Sequence, residues 1–335
     1  MNPLDWLLEP DTVNPGVRCI ALRDLLHLSA DDPQRVAARR EVMLTGPVPV
    51  ILAAQNVEGW WGQPGPGYPP KYIGTVWSLI QLALLGADGE DPRVQAACDY
   101  VLAHSRSSYG GFSAGADPGG MIHCLQGNLV AALLDLGCGA DPRLQQAVDW
   151  LARSITGEGI APAEDKQAVP RYYRSGNCAP GFACAANEGQ PCAWGATRAL
   201  LALSKLPQEQ RTPTIQAAID LGVDFLLSVD LLTAAYPIPS YSSKPSRSWF
   251  QLQALPQGYV TDLLLVLEVL AALGYRQDPR LHTSLDWLEG KANADGRWLQ
   301  EYTYNGKTWV DIEQKGRPSK WVTLRALRAT ADPVA

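Results

Sequence analysis

At 335 residues, 46% hydrophobic and 19% charged, with a formal net charge of −6, the chain has the composition of a globular protein with a sizeable core. The mild acidity and the lack of any basic run argue against a nucleic-acid partner, and no apolar stretch reaches the length of a membrane span. Seven cysteines, an odd number in a long chain, argue against a disulfide framework. MNPLDWLLEPDTVNPG lacks the regions of a signal peptide, so a cytoplasmic protein with free thiols is the expectation.

In chain order, two kinds of helix alternate. Apolar helices are predicted to start near Val13, Tyr72, His123, Cys192, Tyr259 and Ser319, and segments such as LVAALLDLG and DLLLVLEVLAALG are apolar almost all round, which marks them for burial. Each of the five others opens with Asp or Thr before proline. DPRVQAACDYVLAHS starts at Asp91, DPRLQQAVDWLARS at Asp141 and DPRLHTSLDWLEGK at Asp278, with variants at Asp32 and Thr212. Asp or Thr supplies the N-cap, proline the first helical position, and a charged face turns outward. About six pairs in one domain, residues 1–335, satisfy the pattern as an open solenoid or a closed double ring. The all-α, α/α-toroid arrangement is the preferred reading.

Around Val48–Gly86 the chain reads as the end of one helix, a Gly-Trp corner, the loop GQPGPGYPPK, and a helix containing Gly74. Within this corner, QNVEGWW (Gln55 to Trp61) matches the Gln-x-x-x-Gly-x-Trp repeat of squalene and oxidosqualene cyclases. Gly110-Gly111-Phe112 and Gly296-Arg297-Trp298 keep its Gly-x-aromatic half. On these motifs and the six pairs, the chain resembles the terpenoid cyclase and protein prenyltransferase superfamily, whose fold is an α/α toroid. The resemblance implies that the motif joins an outer helix to the next inner one. It further implies a central cavity, opening at the inner-helix starts, for an apolar isoprenoid-type ligand. Tyr72, Thr75, His123, Cys124, Asn128, Cys192, Trp194, Tyr259, Asp262 and Trp321 are the candidate lining.

Cyclases of this family that protonate an alkene use Asp-x-Asp-Asp, which is absent here. Asp262 is the positional candidate for a catalytic acid, with helix capping as its competing role. Prenyltransferases hold zinc with Asp, Cys and His. Cys192 and Trp194 resemble their Cys-x-x-Trp helix, but Gln190 stands where the family has Asp. Cys178, Cys184 and Cys192, with Cys124 beside His123, form a thiolate grouping that suits Zn²⁺. HCLQGN resembles the Cys-His-Gly stretch of the zinc-binding lanthionine cyclases with its order changed. Core or loop thiols are the competing role. The long loops 154–191 and 236–258 bring Arg171, Tyr172, Tyr173, Arg174, Lys244, Arg247, Trp249 and Phe250 toward a site. Three functions remain open: a cyclase-like enzyme or isoprenoid binder, a zinc-thiolate transferase or cyclase, and a non-catalytic scaffold for a peptide or protein.

Overall fold

A computed structural model describes residues 2–115, 119–160 and 176–330. Helix accounts for 51% of the structure, in 13 α-helices among the described residues, and the sheet there has two strands. The fold is all-α. Six helices are the apolar ones: α2 (Pro15–Asp24), α5 (Thr75–Leu84), α7 (His123–Asp135), α9 (Ala193–Ser204), α11 (Leu263–Ala272) and α13 (Lys320–Thr330). The others are α1 (Pro3–Leu8), α3 (Pro33–Leu44), α4 (Pro47–Ala53), α6 (Pro92–His104), α8 (Pro142–Thr156), α10 (Pro213–Leu226) and α12 (His282–Glu289).

Patterning decides the depth of each helix. Every residue of α7 from His123 to Leu133 is buried, as is α11 from Leu263 to Leu270. By contrast, α8 buries Leu144, Ala147, Val148, Leu151 and Ile155 at helical spacing and turns its charges outward. Consecutive pairs α2–α3, α5–α6, α7–α8, α9–α10 and α11–α12 pack together, and α1 packs on α13. The apolar helices also touch in sequence: α5 on α7, α7 on α9, α9 on α11, α11 on α13, and α13 on α2. At Gly127 the backbones of α7 and α9 approach so closely that a Cβ would lie 2.0 Å from the Arg198 carbonyl oxygen.

The proline-led helix starts behave as caps. Asp32, Asp91, Asp141 and Thr212 each accept a backbone N–H from the first turn they precede. In the Asp-Pro-Arg copies the arginine folds back onto its own cap, at 2.8 Å for Arg93–Asp91 and 2.6 Å for Arg143–Asp141. Asp278 makes the same pair with Arg280 but opens a 3₁₀ turn, Pro279–Leu281, before α12.

The corner motif is a structural joint. The fully buried Trp61 indole donates to the Ile51 carbonyl at the end of α4 (2.7 Å), while its backbone N–H donates to Thr75 Oγ1 at the start of α5 (3.0 Å). Trp298 repeats this with the Leu288 carbonyl (2.6 Å) and Thr323 Oγ1 (3.1 Å), and Phe112 uses Gln126 in place of threonine. The Gln55 amide donates to the Arg93 carbonyl at the start of α6 (2.8 Å). Trp60 is only half-buried, its indole on Glu58.

Several local expectations shift. The segment before the corner forms its own short helix, α4, because Gly46 and Pro47 start it afresh. Gly74 is the N-cap of α5 rather than an interior residue. Tyr72 therefore precedes the helix, at φ 72°, with its carbonyl accepting from Gln81 Nε2 (2.8 Å). In the first long loop, residues 161–175, which include Arg171, Tyr172, Tyr173 and Arg174, lie outside the described residues. Beyond them comes a small hairpin, β1 (Ala183–Cys184) with β2 (Gln190–Pro191). The second long loop ends in Ala254–Gly258, a fully buried run of chain. No helix among the described residues is long and apolar enough to cross a membrane.

Candidate functional site

A single cavity of about 800 Å³ receives residues from all six apolar helices: Ile20 from α2, Ala83 from α5, Ala131 from α7, Leu201 from α9, Val269 from α11 and Leu324 from α13. Short and branched apolar side chains leave this space because alanines recur where the helices converge. Its floor is the buried run Ala254, Leu255 and Pro256. The floor is clamped by Arg198, a fully buried arginine of α9. The Arg198 guanidinium donates to the carbonyls of Pro256 (2.5 Å) and Val260 (2.7 Å), to Asn128 Oδ1 (3.3 Å) and to Thr261 Oγ1 (3.3 Å). These four acceptors make burial of the cation tolerable, although burial still lowers its pKa.

The mouth lies at the carboxyl ends of the apolar helices, marked by Asp24, Asp135, Lys205 and Arg328. This corrects the expected opening at the helix starts, which the Ala254–Pro256 floor covers. Charges at the mouth are paired: Lys205 with Asp135 (2.8 Å), and Asp24 with both Arg23 (2.5 Å) and Arg328 (3.3 Å). Burial pushes the Asp24 carboxyl up, but Arg328 and Arg23 bring it down to about 2. Cations in this position also complement the helix C-termini.

One wall carries a second buried network. Arg325, fully desolvated in α13, pairs with Glu268 (2.7 Å) and with both oxygens of Asp262 (3.2 Å each). Asp262 also accepts the N–H of Leu265 (2.9 Å), as the N-cap of α11, and that of Gln253 (2.9 Å). This candidate acid is thus a cap locked by four hydrogen bonds. It does not line the cavity, whereas Glu268 and Arg325 do.

Of the candidate ligand contacts, Asn128 and Trp321 line the cavity. Thr75 belongs to the Trp61 joint. Tyr72 and Tyr259 stack instead around Trp77, at 5.4 and 5.5 Å, and Tyr72 also meets Tyr304 at 5.0 Å. Lys71 stands over Tyr72 and Tyr259. Trp194 packs half-buried on the core.

His123 is buried beside Ser154 and away from the cavity lining. The Ser154 hydroxyl donates to the Leu151 carbonyl (2.7 Å), leaving its oxygen to receive His123 Nε2 (3.3 Å) and the Cys178 thiol (3.7 Å). His123 Nδ1 has no hydrogen-bond partner among the described residues. Burial drops the His123 pKa to about 3, against 6.5 in the unfolded chain. Below pH 6.5 the unfolded state takes up a proton that the native state refuses, so stability falls as pH falls toward 3. Urea denaturation at pH 7 and pH 5 is expected to show about 2 kcal/mol lost through this one group. His123→Gln should reduce the pH-dependent difference by that amount whatever its absolute stability, and an unchanged difference would refute the assignment.

The four candidate metal thiols differ in burial but lie near enough to act on one another electrostatically. Cys124 and Cys178 are buried, with their thiols pushed up by desolvation, Cys124 to about 12. Cys184 and Cys192 are half-buried and lie next to each other, so that each shifts the other's titration. Among the described residues no three His, Cys, Asp or Glu side chains stand together to hold one metal ion.

Of the residues missing from the candidates, Arg198, Glu268 and Arg325, the first two carried a sequence signal. Arg198 and Glu268 are each the single charge inside an otherwise apolar helix, as in AWGATRALLALS, whereas Arg325 is one of three cations in α13. A scan against protein-family models returns no match, and a search of curated proteins finds no relative.

Proposed function

We propose that the six helix pairs close into an α/α toroid, terpenoid-cyclase-like in architecture, whose central cavity holds an apolar isoprenoid-type molecule. The observation that carries this reading is the contribution of all six apolar helices to one 800 Å³ cavity of largely aliphatic lining. The packing of α13 on α2, and of α1 on α13, favours closure over an open solenoid. On this reading the protein binds and shields its ligand. The cavity carboxylate Glu268 is engaged by Arg325 and Arg328, and Asp262 is consumed as a cap, so neither presents a proton to an alkene.

Native mass spectrometry with farnesol, squalene and palmitate tests the idea. Farnesol or squalene should bind one to one. Ala83→Phe, which projects a ring into the cavity, should weaken that binding at least about tenfold, or ~1.4 kcal/mol, with the melting transition retained. Failure of both isoprenoids, or binding indifferent to the added ring, would remove this reading.

A further inference from the structure

The hairpin before α9 brings two distant thiols onto one another. Cys184 lies in β1, paired with Gln190, and the Cys192 N–H bonds to the Phe182 carbonyl (3.0 Å), which continues the ladder past β2. Residues two apart on a strand share a face, so Cys184 and Cys192 are diagonal neighbours on the same side of the hairpin. Their thiols lie close enough to act on each other, and both residues are only half-buried.

Cys192 is also the N-cap residue of α9. The turn Ala185–Asn187 brings the backbone N–H groups of Ala186 and Asn187 close enough to favour a Cys184 thiolate, although the Ala186 N–H itself donates to Asn177 Oδ1 (3.3 Å). When protonated, that sulfur donates to Asn177 Oδ1 at 3.6 Å. The hairpin is held in place from outside. Asn187 Nδ2 donates to the Pro191 (2.8 Å) and Pro237 (3.1 Å) carbonyls, and Glu188 accepts from Ser240. Cys124, acting on Cys192, and Cys178, acted on by Cys184, are the further thiols beside the pair.

From this juxtaposition we infer that Cys184 and Cys192 form a reactive dithiol that exchanges with low-molecular-weight disulfides and closes into a disulfide. The Cys192 thiol, opposed by burial but helped by the two amides, holds the Cys184 sulfur as thiolate, with its pKa brought down to about 6. That thiolate attacks one sulfur of the small disulfide. The disulfide's S–S bond breaks, a mixed disulfide forms on Cys184, and one small thiolate leaves. Cys192 then gives up its proton to the departing thiolate and attacks the Cys184 sulfur, expelling the second small thiolate. Two protein thiols are oxidised, and one small disulfide is reduced to two thiols. Cys98 and Cys138 are a separate pair, in which Cys98 lowers the Cys138 thiol against the opposing Asp141 and Asp99, while Cys98 itself is buried in α6 and pushed up.

The test treats the full chain, purified without a metal-binding tag, with glutathione disulfide, and maps the products by peptide mass spectrometry. A Cys184–Cys192 link should form and be reversed by excess glutathione. In Cys192→Ser the reaction should arrest with one glutathione on Cys184, and Cys184→Ser should form neither product. Elemental analysis runs alongside. Stoichiometric zinc lost in Cys184→Ser, a link confined to Cys98 and Cys138, or no mixed disulfide in Cys192→Ser would each overturn the inference.

Discussion

Substituting Gly127 by alanine is expected to be among the most damaging single changes to this protein, lowering stability by about 3 kcal/mol or more. The added methyl would sit 2.0 Å from the Arg198 carbonyl oxygen and 2.2 Å from its carbon, both backbone atoms that cannot rotate away. The helices α7 and α9 must therefore separate, and with them the Arg198 clamp that holds the cavity floor. Helix propensity alone predicts the opposite, since alanine is about 1 kcal/mol better than glycine inside a helix. Gly139→Ala supplies the control, because there the new methyl meets only a side-chain carbon at 3.6 Å. Comparing the two by urea denaturation decides the matter: similar stabilities would mean that the α7–α9 contact is looser than described.

The second large effect is expected at Arg325. Arg325→Met leaves the Asp262 carboxylate buried without a cation, Glu268 with only Arg328 at 3.5 Å, and the Gln253 carbonyl without a donor. Removing one partner of a buried pair costs about 3–5 kcal/mol, because the remaining charge has no water to turn to. The triple variant Arg325→Met, Asp262→Asn, Glu268→Gln should recover part of that loss, since nothing charged is then stranded. If the single and triple variants fall by the same amount, packing rather than charge is the function of Arg325. Asp262→Asn alone tests the capping role, and an amide can still accept at one oxygen from Leu265.

Local chemistry made much of this architecture readable in advance. Asp or Thr before proline announces a helix start at Asp91, Asp141 and Thr212, because the cap, the fixed φ and the helix lie within four residues of one another. The apolar helices α5, α7 and α9 start without a side-chain cap, and it is their apolar periodicity that marks their beginnings to within about three residues. Gln55-x-x-x-Gly-x-Trp61 was readable as a joint, since its indole reaches back only ten residues, to Ile51. The candidate site was much less legible. Asp262 and Arg325 are 63 residues apart and Arg198 and Pro256 are 58 apart, so nothing local signals that they meet. Which end of the cavity opens depends on where the run Ala254–Gly258 docks, and an apolar loop gives no hint of its seat. Tyr72 and Tyr259 read as cavity lining because they flank apolar helices, yet the floor diverts them into a separate aromatic cluster.

The contact between the first and last apolar helices also dictates when the chain can finish folding. The Trp321 indole donates to Asn14, 307 residues earlier, and Lys320 and Arg328 reach back to Asp11 and Asp24. On a ribosome adding about 5–20 residues each second, the apolar edge of α2 waits roughly 15–60 s for the helix that will cover it. During that interval the uncovered face of α2 is available to a chaperone or to a neighbouring chain.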